Sequence, residues 1–171
     1  LLAITQVPPG LTNDEVSLGY DAYSILKTGR DQWGKFLPLS FKAFGDYRLP
    51  FFTYAVVPFI AVFGLNAFAL RLSATFFALF LVFALYLLVK KLFNQRVALI
   101  ASLILIISPW FFSLTRSATE SPPATLFLVL GVYFFIEALE KKGKYYFFSF
   151  ISLLFSFYTY YGVRLFVVVF F

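Results

Sequence analysis

A polar stretch of 48 residues opens the chain, and long apolar runs separated by short polar breaks make up most of the remainder. A helix crossing a hydrocarbon core about 30 Å thick needs about 20 apolar residues at about 1.5 Å each. Four runs approach that length: 67–89, 97–114, 124–138 (extendable back through Pro122) and 145–161. A fifth, 165–171, begins before the sequence stops. The run 49–64 is shorter and contains Pro50 and Pro58. Proline removes a backbone donor and kinks a helix, so this run is expected to form an interfacial or re-entrant helix that does not cross.

The polar stretch carries its own punctuation. Pro8-Pro9-Gly10 breaks the chain. Thr12-Asn13-Asp14-Glu15 then has the capping-box pattern, with Thr12 as N-cap and Glu15 three positions on. Val16, Gly19, Tyr20 and Tyr23 recur at helical spacing and predict one apolar face, suited to a membrane surface. Lys27 fits the last turn and Gly29 the stop. Residues 30–47, rich in glycine, proline and aromatics, predict a packed loop. The expected fold is all-α: a single polytopic transmembrane bundle. Residues 1–66 form an outer loop with interfacial helices, and 67–171 form four spans and the start of a fifth.

Composition agrees with a bilayer. Apolar residues are 61% of the chain and charged residues 13%, where a soluble domain carries about 25% charged. There are 26 Phe and 11 Tyr, read as lipid-facing and packing surface. No Met is present and both ends lie in apolar runs, so the sequence is expected to be part of a longer membrane protein. Cysteine and histidine are absent, which excludes thiol chemistry and leaves Asp, Glu, Lys or Tyr for proton transfer.

The net charge of +6 falls largely in short loops between apolar runs, a signature of topology and not of nucleic-acid binding. With the polar stretch on one side, Lys90, Lys91 and Arg96 reach the other, as do Lys141, Lys142 and Lys144. The positive-inside rule makes that second side cytoplasmic. Asp14, Glu15, Arg48, Arg116, Glu120 and Arg164 then gather outside, at a plasma (inner) membrane.

Asp14 and Glu15 are the candidate catalytic pair. Acidic residues also favour a helix's first turn, which accounts well for Glu15. Asp14 is not needed by the capping box and is the better base. Arg116 and Glu120, four apart, suit a helical ion pair or a site near the bilayer surface. Arg164, beside Tyr160 and Tyr161, suits snorkelling or a lipid phosphate, and Arg48 poses the same choice. Arg71, about a turn inside the first span, calls for a partner such as Asp46 or Asp14.

Several of these residues together resemble a known family. Thr12 to Val16, Gly19 to Tyr23, Gly29, Gly45 to Pro50, Val57-Pro58, Phe63 to Asn66 and Arg71-Leu72 resemble the first outer loop of the glycosyltransferase-C superfamily. The branch is that of dolichyl-phosphate-mannose–protein mannosyltransferases and lipid A aminoarabinose transferases. Ser108-Pro109-Trp110 with Thr115 to Glu120 is similar to its second outer loop, and Tyr158 to Arg164 to the stretch joining its fifth and sixth spans. Phe111-Phe112 and Pro122-Pro123 depart from the pattern. The resemblance implies an inverting transferase working outside the cytoplasm. It would move a sugar from a polyprenyl-phosphate donor to a protein, lipid or glycan acceptor. It implies Asp14 as base with Glu15 beside it, and Arg48, Arg116, Glu120, Tyr160 and Arg164 around the donor. No cofactor is required, although a divalent metal could assist the phosphate, with Glu15 or Glu120 as ligands. The alternatives are a sugar-lipid transporter or flippase without chemistry, and an inactive structural subunit.

Overall fold

The computed structural model describes residues 4–6, 9–141 and 143–170, with side-chain surroundings through Phe166. The expectations above for the two ends of the chain, for Pro8 in the break and for Lys142 in the second basic loop fall on residues outside the described ones. The elements in order are α1 (Asn13–Thr28), β1 (Phe41–Ala43), β2 (Asp46–Arg48), α2 (Pro50–Phe63), α3 (Ala67–Leu92), α4 (Gln95–Ile107), α5 (Pro109–Arg116), α6 (Ser121–Lys141), α7 (Lys144–Phe157) and α8 (Tyr161–Phe170). The protein is an all-α helical membrane bundle with one two-stranded sheet.

The start and stop of α1 agree with the sequence signals. Thr12 Oγ1 accepts the Glu15 N–H, Glu15 accepts the Thr12 N–H, and Gly29 closes the helix at φ 68°. The predicted apolar face is divided, with Gly19 and Tyr23 packed on the bundle and Val16 and Tyr20 left outward. Leu18, Ala22 and Ile25 are buried, whereas Val16 and Tyr20 are more than half exposed. Gly19 does pack: a Cβ there would stand 2.9 Å from Leu70 Cδ1. Two faces of α1 are therefore apolar, and α2 and α3 take the one with aliphatic side chains. The loop 30–47 folds into the β1–β2 hairpin, which pairs Phe41 with Arg48 and Ala43 with Asp46.

Helix α3 runs through the middle of the bundle. Ala69, Leu70 and Ala74 pack with Leu18 and Ala22 of α1 and Phe52, Val56 and Ile60 of α2. Further along, Ala78, Leu81 and Ala84 meet Phe111 of α5 and Leu126 of α6. Small residues on α3 let neighbouring backbones approach, which is how helices associate where the solvent is itself apolar. Phe51 sits between three rings from three helices, with centroids 6.0 Å from Phe77, 5.0 Å from Phe127 and 5.4 Å from Phe155. The phenylalanine abundance is thus partly interhelical packing, as expected.

The spans depart from equal lengths. Helices α3 and α6 are long and apolar enough to cross a membrane. The predicted run 97–114 is a bent pair: α4 and α5 meet at 61°. Ser108 is extended (φ −65°, ψ 121°) because Pro109 comes next. Helix α7 has 14 residues, not the 17 of the run 145–161, and reaches about 21 Å. It lies antiparallel on α6, with Ser149 Oγ donating to Gly131 O (2.8 Å) and Ser156 Oγ to Ala124 O (2.7 Å). Helix α2, also 14 residues, is short of a hydrocarbon core as expected, but it continues through Pro58 without a break.

Both α3 and α6 start beside Glu15, Arg48 and Glu120 and end together at an ion-pair cluster. There Lys91 Nζ meets Glu137 Oε1 at 3.0 Å and also reaches Glu140, while Lys141 Nζ meets Glu137 Oε2 at 2.6 Å. Along α3, Arg71 and Lys91 are about 30 Å apart. The carboxylate–arginine residues and the lysines therefore occupy opposite ends of one hydrocarbon-length bundle.

Candidate functional site

The site is built on a buried ion pair. Arg71, one turn into α3, is fully buried; its Nε donates to Glu15 Oε1 at 3.1 Å and its Nη2 to Oε2 at 3.5 Å. Arg71 also donates to the carbonyls of Ile4 (2.9 Å) and Gly10. Glu15 accepts two backbone N–H groups, from Thr12 (2.9 Å) and Ala118 (3.0 Å). One carboxylate thus ties the N-terminal segment, α1, α3 and the α5–α6 loop together. Burial pushes the Glu15 pKa up, but the bonds from Arg71, Thr12 and Ala118 outweigh it and hold the carboxyl below its ordinary value. Arg71 takes its counter-charge from Glu15, not from the expected Asp46 or Asp14. The Glu15 oxygens are both engaged in this structural pairing.

Asp14, one position earlier, turns outward. Its side chain is 80% exposed, and Oδ1 lies 3.5 Å from Arg48 Nη2. Arg48 stands at the end of β2, where the hairpin delivers it to the start of α2. Its Nη2 also donates to Asp14 O (3.3 Å), and its Nε contacts Glu120 Oε1 at 2.9 Å. The Arg48 side chain is only 10% exposed, and Nη1 has no hydrogen-bond partner. The Thr119 hydroxyl nearby is likewise buried without one. Burial raises the Glu120 pKa above its ordinary value; Arg48 opposes this and the Asp14 charge adds to it.

These residues line a cleft of about 230 Å³ whose other walls are Asp46 and Tyr47 of the hairpin and Thr159, Tyr160 and Tyr161 of the α7–α8 junction. Gly162 leaves room for the Tyr160 ring, since a Cβ there would lie 2.7 Å from its Cε1. A second, apolar cleft of about 550 Å³ adjoins it, lined by Leu39, Pro50, Phe51, Tyr54, Phe155 and Tyr158 among others. The neighbours Leu49-Pro50 and Tyr158-Thr159 line one cleft each, so the two share a wall.

Of the predicted site residues, Asp14, Arg48, Glu120 and Tyr160 come together, and Glu15 lies directly beneath them. Arg116 and Arg164 do not line the cleft. Arg116 ends α5 with its guanidinium 4.8 Å from the Phe112 ring centre. A non-helical turn separates it from Glu120, so the two are not one helical turn apart as the spacing suggested. Arg164 lies 4.7 Å over the Tyr161 ring and donates to Phe157 O at 3.3 Å, capping the end of α7. Thr119, Asp46 and Tyr161 join the lining without having been candidates for it. Asp46 and Thr119 lie within the quoted motif stretches beside Arg48 and Glu120, but only the fold brings them to one cleft.

The two carboxylates expected as metal ligands are both paired with arginines. Glu15 is engaged by Arg71 and two N–H groups, Glu120 by Arg48, and among the described residues no three acidic groups converge. The arrangement offers an accessible carboxylate and a nearly buried guanidinium lining one cavity, beside an apolar trough, with the unpartnered Arg48 Nη1 and Thr119 Oγ1 buried in its wall.

No curated protein and no solved structure matches the chain. A family model described as dolichyl-phosphate-mannose-protein mannosyltransferase matches residues 48–171, which takes in Arg48, Arg116, Glu120, Tyr160 and Arg164. Over well more than half its length, therefore, this helical bundle belongs to the dolichyl-phosphate-mannose-protein mannosyltransferase family of membrane glycosyltransferases.

Proposed function

We propose that the cleft is the transfer site of an inverting glycosyltransferase that takes its sugar from a polyprenyl-phosphate donor on the extracytoplasmic side. The observation carrying this reading is Arg48, nearly buried, braced by Asp14 and Glu120, and left with Nη1 unpartnered. Guanidinium matches phosphate geometry, and a charge-assisted bond of this kind contributes roughly 1.5–3 kcal/mol. The polar cleft would take the phosphate and sugar, and the adjoining apolar cleft the first part of the lipid.

Asp14 then accepts a proton from the acceptor nucleophile, whose oxygen bonds to the anomeric carbon from the face opposite the phosphate. The bond from that carbon to the phosphate oxygen breaks, and its electron pair leaves on the lipid phosphate. Arg48 balances that charge, so no proton donor is needed for departure. Glu15 acts indirectly, holding α1 and the Ala118 backbone in place. Arg116 and Arg164 sit outside the cleft and would serve the donor only at its rim.

The test uses the full-length enzyme with a radiolabelled polyprenyl-phosphate sugar. Asp14→Asn should abolish transfer and leave donor binding nearly unchanged, because the base acts on the acceptor in the transition state. Arg48→Ala should weaken donor binding about 10- to 150-fold. Near-normal turnover in folded Asp14→Asn removes Asp14 from the mechanism. Lipid movement without a glycosylated product from the native protein supports the transporter reading instead.

A further inference from the structure

The hairpin segment 30–47 shows a combination of features that its packing does not require. Trp33 and Phe36 are each 64% exposed, Leu39 77% and Phe44 72%. Two non-glycine residues have positive φ, Leu37 at 38° and Phe44 at 48°, and both expose at least half their surface. Phe44 and Gly45 (φ 87°) form the two-residue turn between the strands. Such a turn favours Asn, Asp or Gly at its first position, because a Cβ is strained at positive φ. Strained positions holding large apolar side chains that touch little of their own fold point to a use outside it.

The segment's polar groups are turned inward. Asp31 Oδ1 accepts the Trp33 and Lys35 N–H groups at 2.9 and 2.8 Å. Asp21, buried on α1, accepts the Gln32 N–H at 3.1 Å, and the Trp33 indole donates to Lys42 O at 3.0 Å. Arg30 bridges to Phe36, and Phe41–Ala43 pairs with Asp46–Arg48. A loop with its backbone satisfied this way can enter an interfacial layer at little cost. Its exposed charges are mostly cationic: Arg30, Lys35 and Lys42 against Asp46. The segment is also continuous with the bundle's apolar wall, since Leu39 shares the apolar cleft with Tyr54 and Phe155, and Tyr54 Oη donates to Pro38 O at 3.0 Å.

We infer that the 30–47 hairpin is a membrane-surface anchor. Trp33, Phe36, Leu39 and Phe44 insert among the headgroups and upper acyl chains, while Arg30, Lys35 and Lys42 meet lipid phosphates. Because β2 ends at Arg48, the anchor holds that guanidinium at headgroup depth.

The test places a nitroxide on Phe36→Cys, Phe44→Cys and, as a reference on the exposed end of α1, Thr28→Cys. The full-length protein, cleared of other cysteines, is placed in vesicles of zwitterionic and anionic phospholipid. Collision rates are measured with oxygen, which concentrates in lipid, and with a water-soluble nickel chelate. Labels at 36 and 44 should collide at least several-fold more with oxygen than with the chelate, and the label at 28 should do the opposite. The anchor is refuted if the chelate reaches 36 and 44 as readily as 28. It is equally refuted if neither reagent reaches them, because protein then covers the hairpin. Unchanged melting temperatures show that the labelled chains are folded.

Discussion

Adjacent carboxylates diverge at the residue scale. Asp14 and Glu15 are neighbours in the first turn of α1, yet one faces the cleft and the other is fully engaged inside. Replacing Glu15 by Gln removes the carboxylate charge that faces the buried Arg71, which costs about 3–5 kcal/mol. A simple loss of a cap would cost only about 1 kcal/mol. Chemical unfolding in detergent distinguishes the two, and a loss near the smaller figure would mean that the other contacts of Arg71 suffice to hold it. The lowered Glu15 pKa has a stability consequence of known sign. The unfolded chain binds that proton more readily than the folded one, so the contribution is present above pH 4.5 and is lost as pH falls through the depressed value. Glu120 behaves oppositely: burial raises its pKa, so it takes a proton at milder acidity than a free carboxyl. Its pairing with Arg48 weakens there, and kcat/KM should fall on an acidic limb displaced to higher pH. Glu120→Gln should abolish that displacement. A limb unmoved by Glu120→Gln would assign it to another group.

The helices meet closely at the element scale wherever a small residue permits it. On α6, Gly131 faces α7 so tightly that a Cβ would lie 2.6 Å from Leu153 Cδ2 and 3.4 Å from the Leu153 backbone N. Gly131→Val should destabilise the bundle by about 1–3 kcal/mol through overpacking, despite glycine's poor helix propensity. Thermal unfolding in detergent reads this, and an unchanged or higher midpoint would mean that α7 can shift away freely. The bend at Ser108–Pro109 is legible as a proline but not as a break, because a proline at a helix start and one inside a helix look alike locally. Pro58 illustrates the other outcome, since α2 continues past it uninterrupted. The buried face of α1 escapes a reading by spacing for a related reason. Val16, Tyr20, Leu18 and Ile25 all satisfy helical spacing, and only the neighbours choose between them.

The whole molecule is a bundle with two unlike ends. The Asp14–Arg48–Glu120 bridge lies at one, and Lys91 with Glu137, Glu140 and Lys141 at the other. Positive-inside orientation then predicts opposite labelling. In intact cells an impermeant thiol reagent should modify Thr28→Cys and leave Arg96→Cys untouched, this chain having no cysteine of its own. The reverse pattern would invert the orientation.

Bilayer residence, the α1 cap, the long spans and the placing of the lysine-rich breaks at the end away from Asp14 come from the chain itself. They depend on composition, helical spacing and contacts within a turn, which are local in sequence. The pairing of Glu15 with Arg71 across 56 residues, and of its carboxylate with the Ala118 N–H across 103, depends on three helices arriving at one point. So do the bracing of Arg48, the inward turn of Thr119 and the displacement of Arg116 and Arg164 from the cleft. Charge and residue type identify candidates for a site, but which of them share a cavity is settled by packing between distant segments.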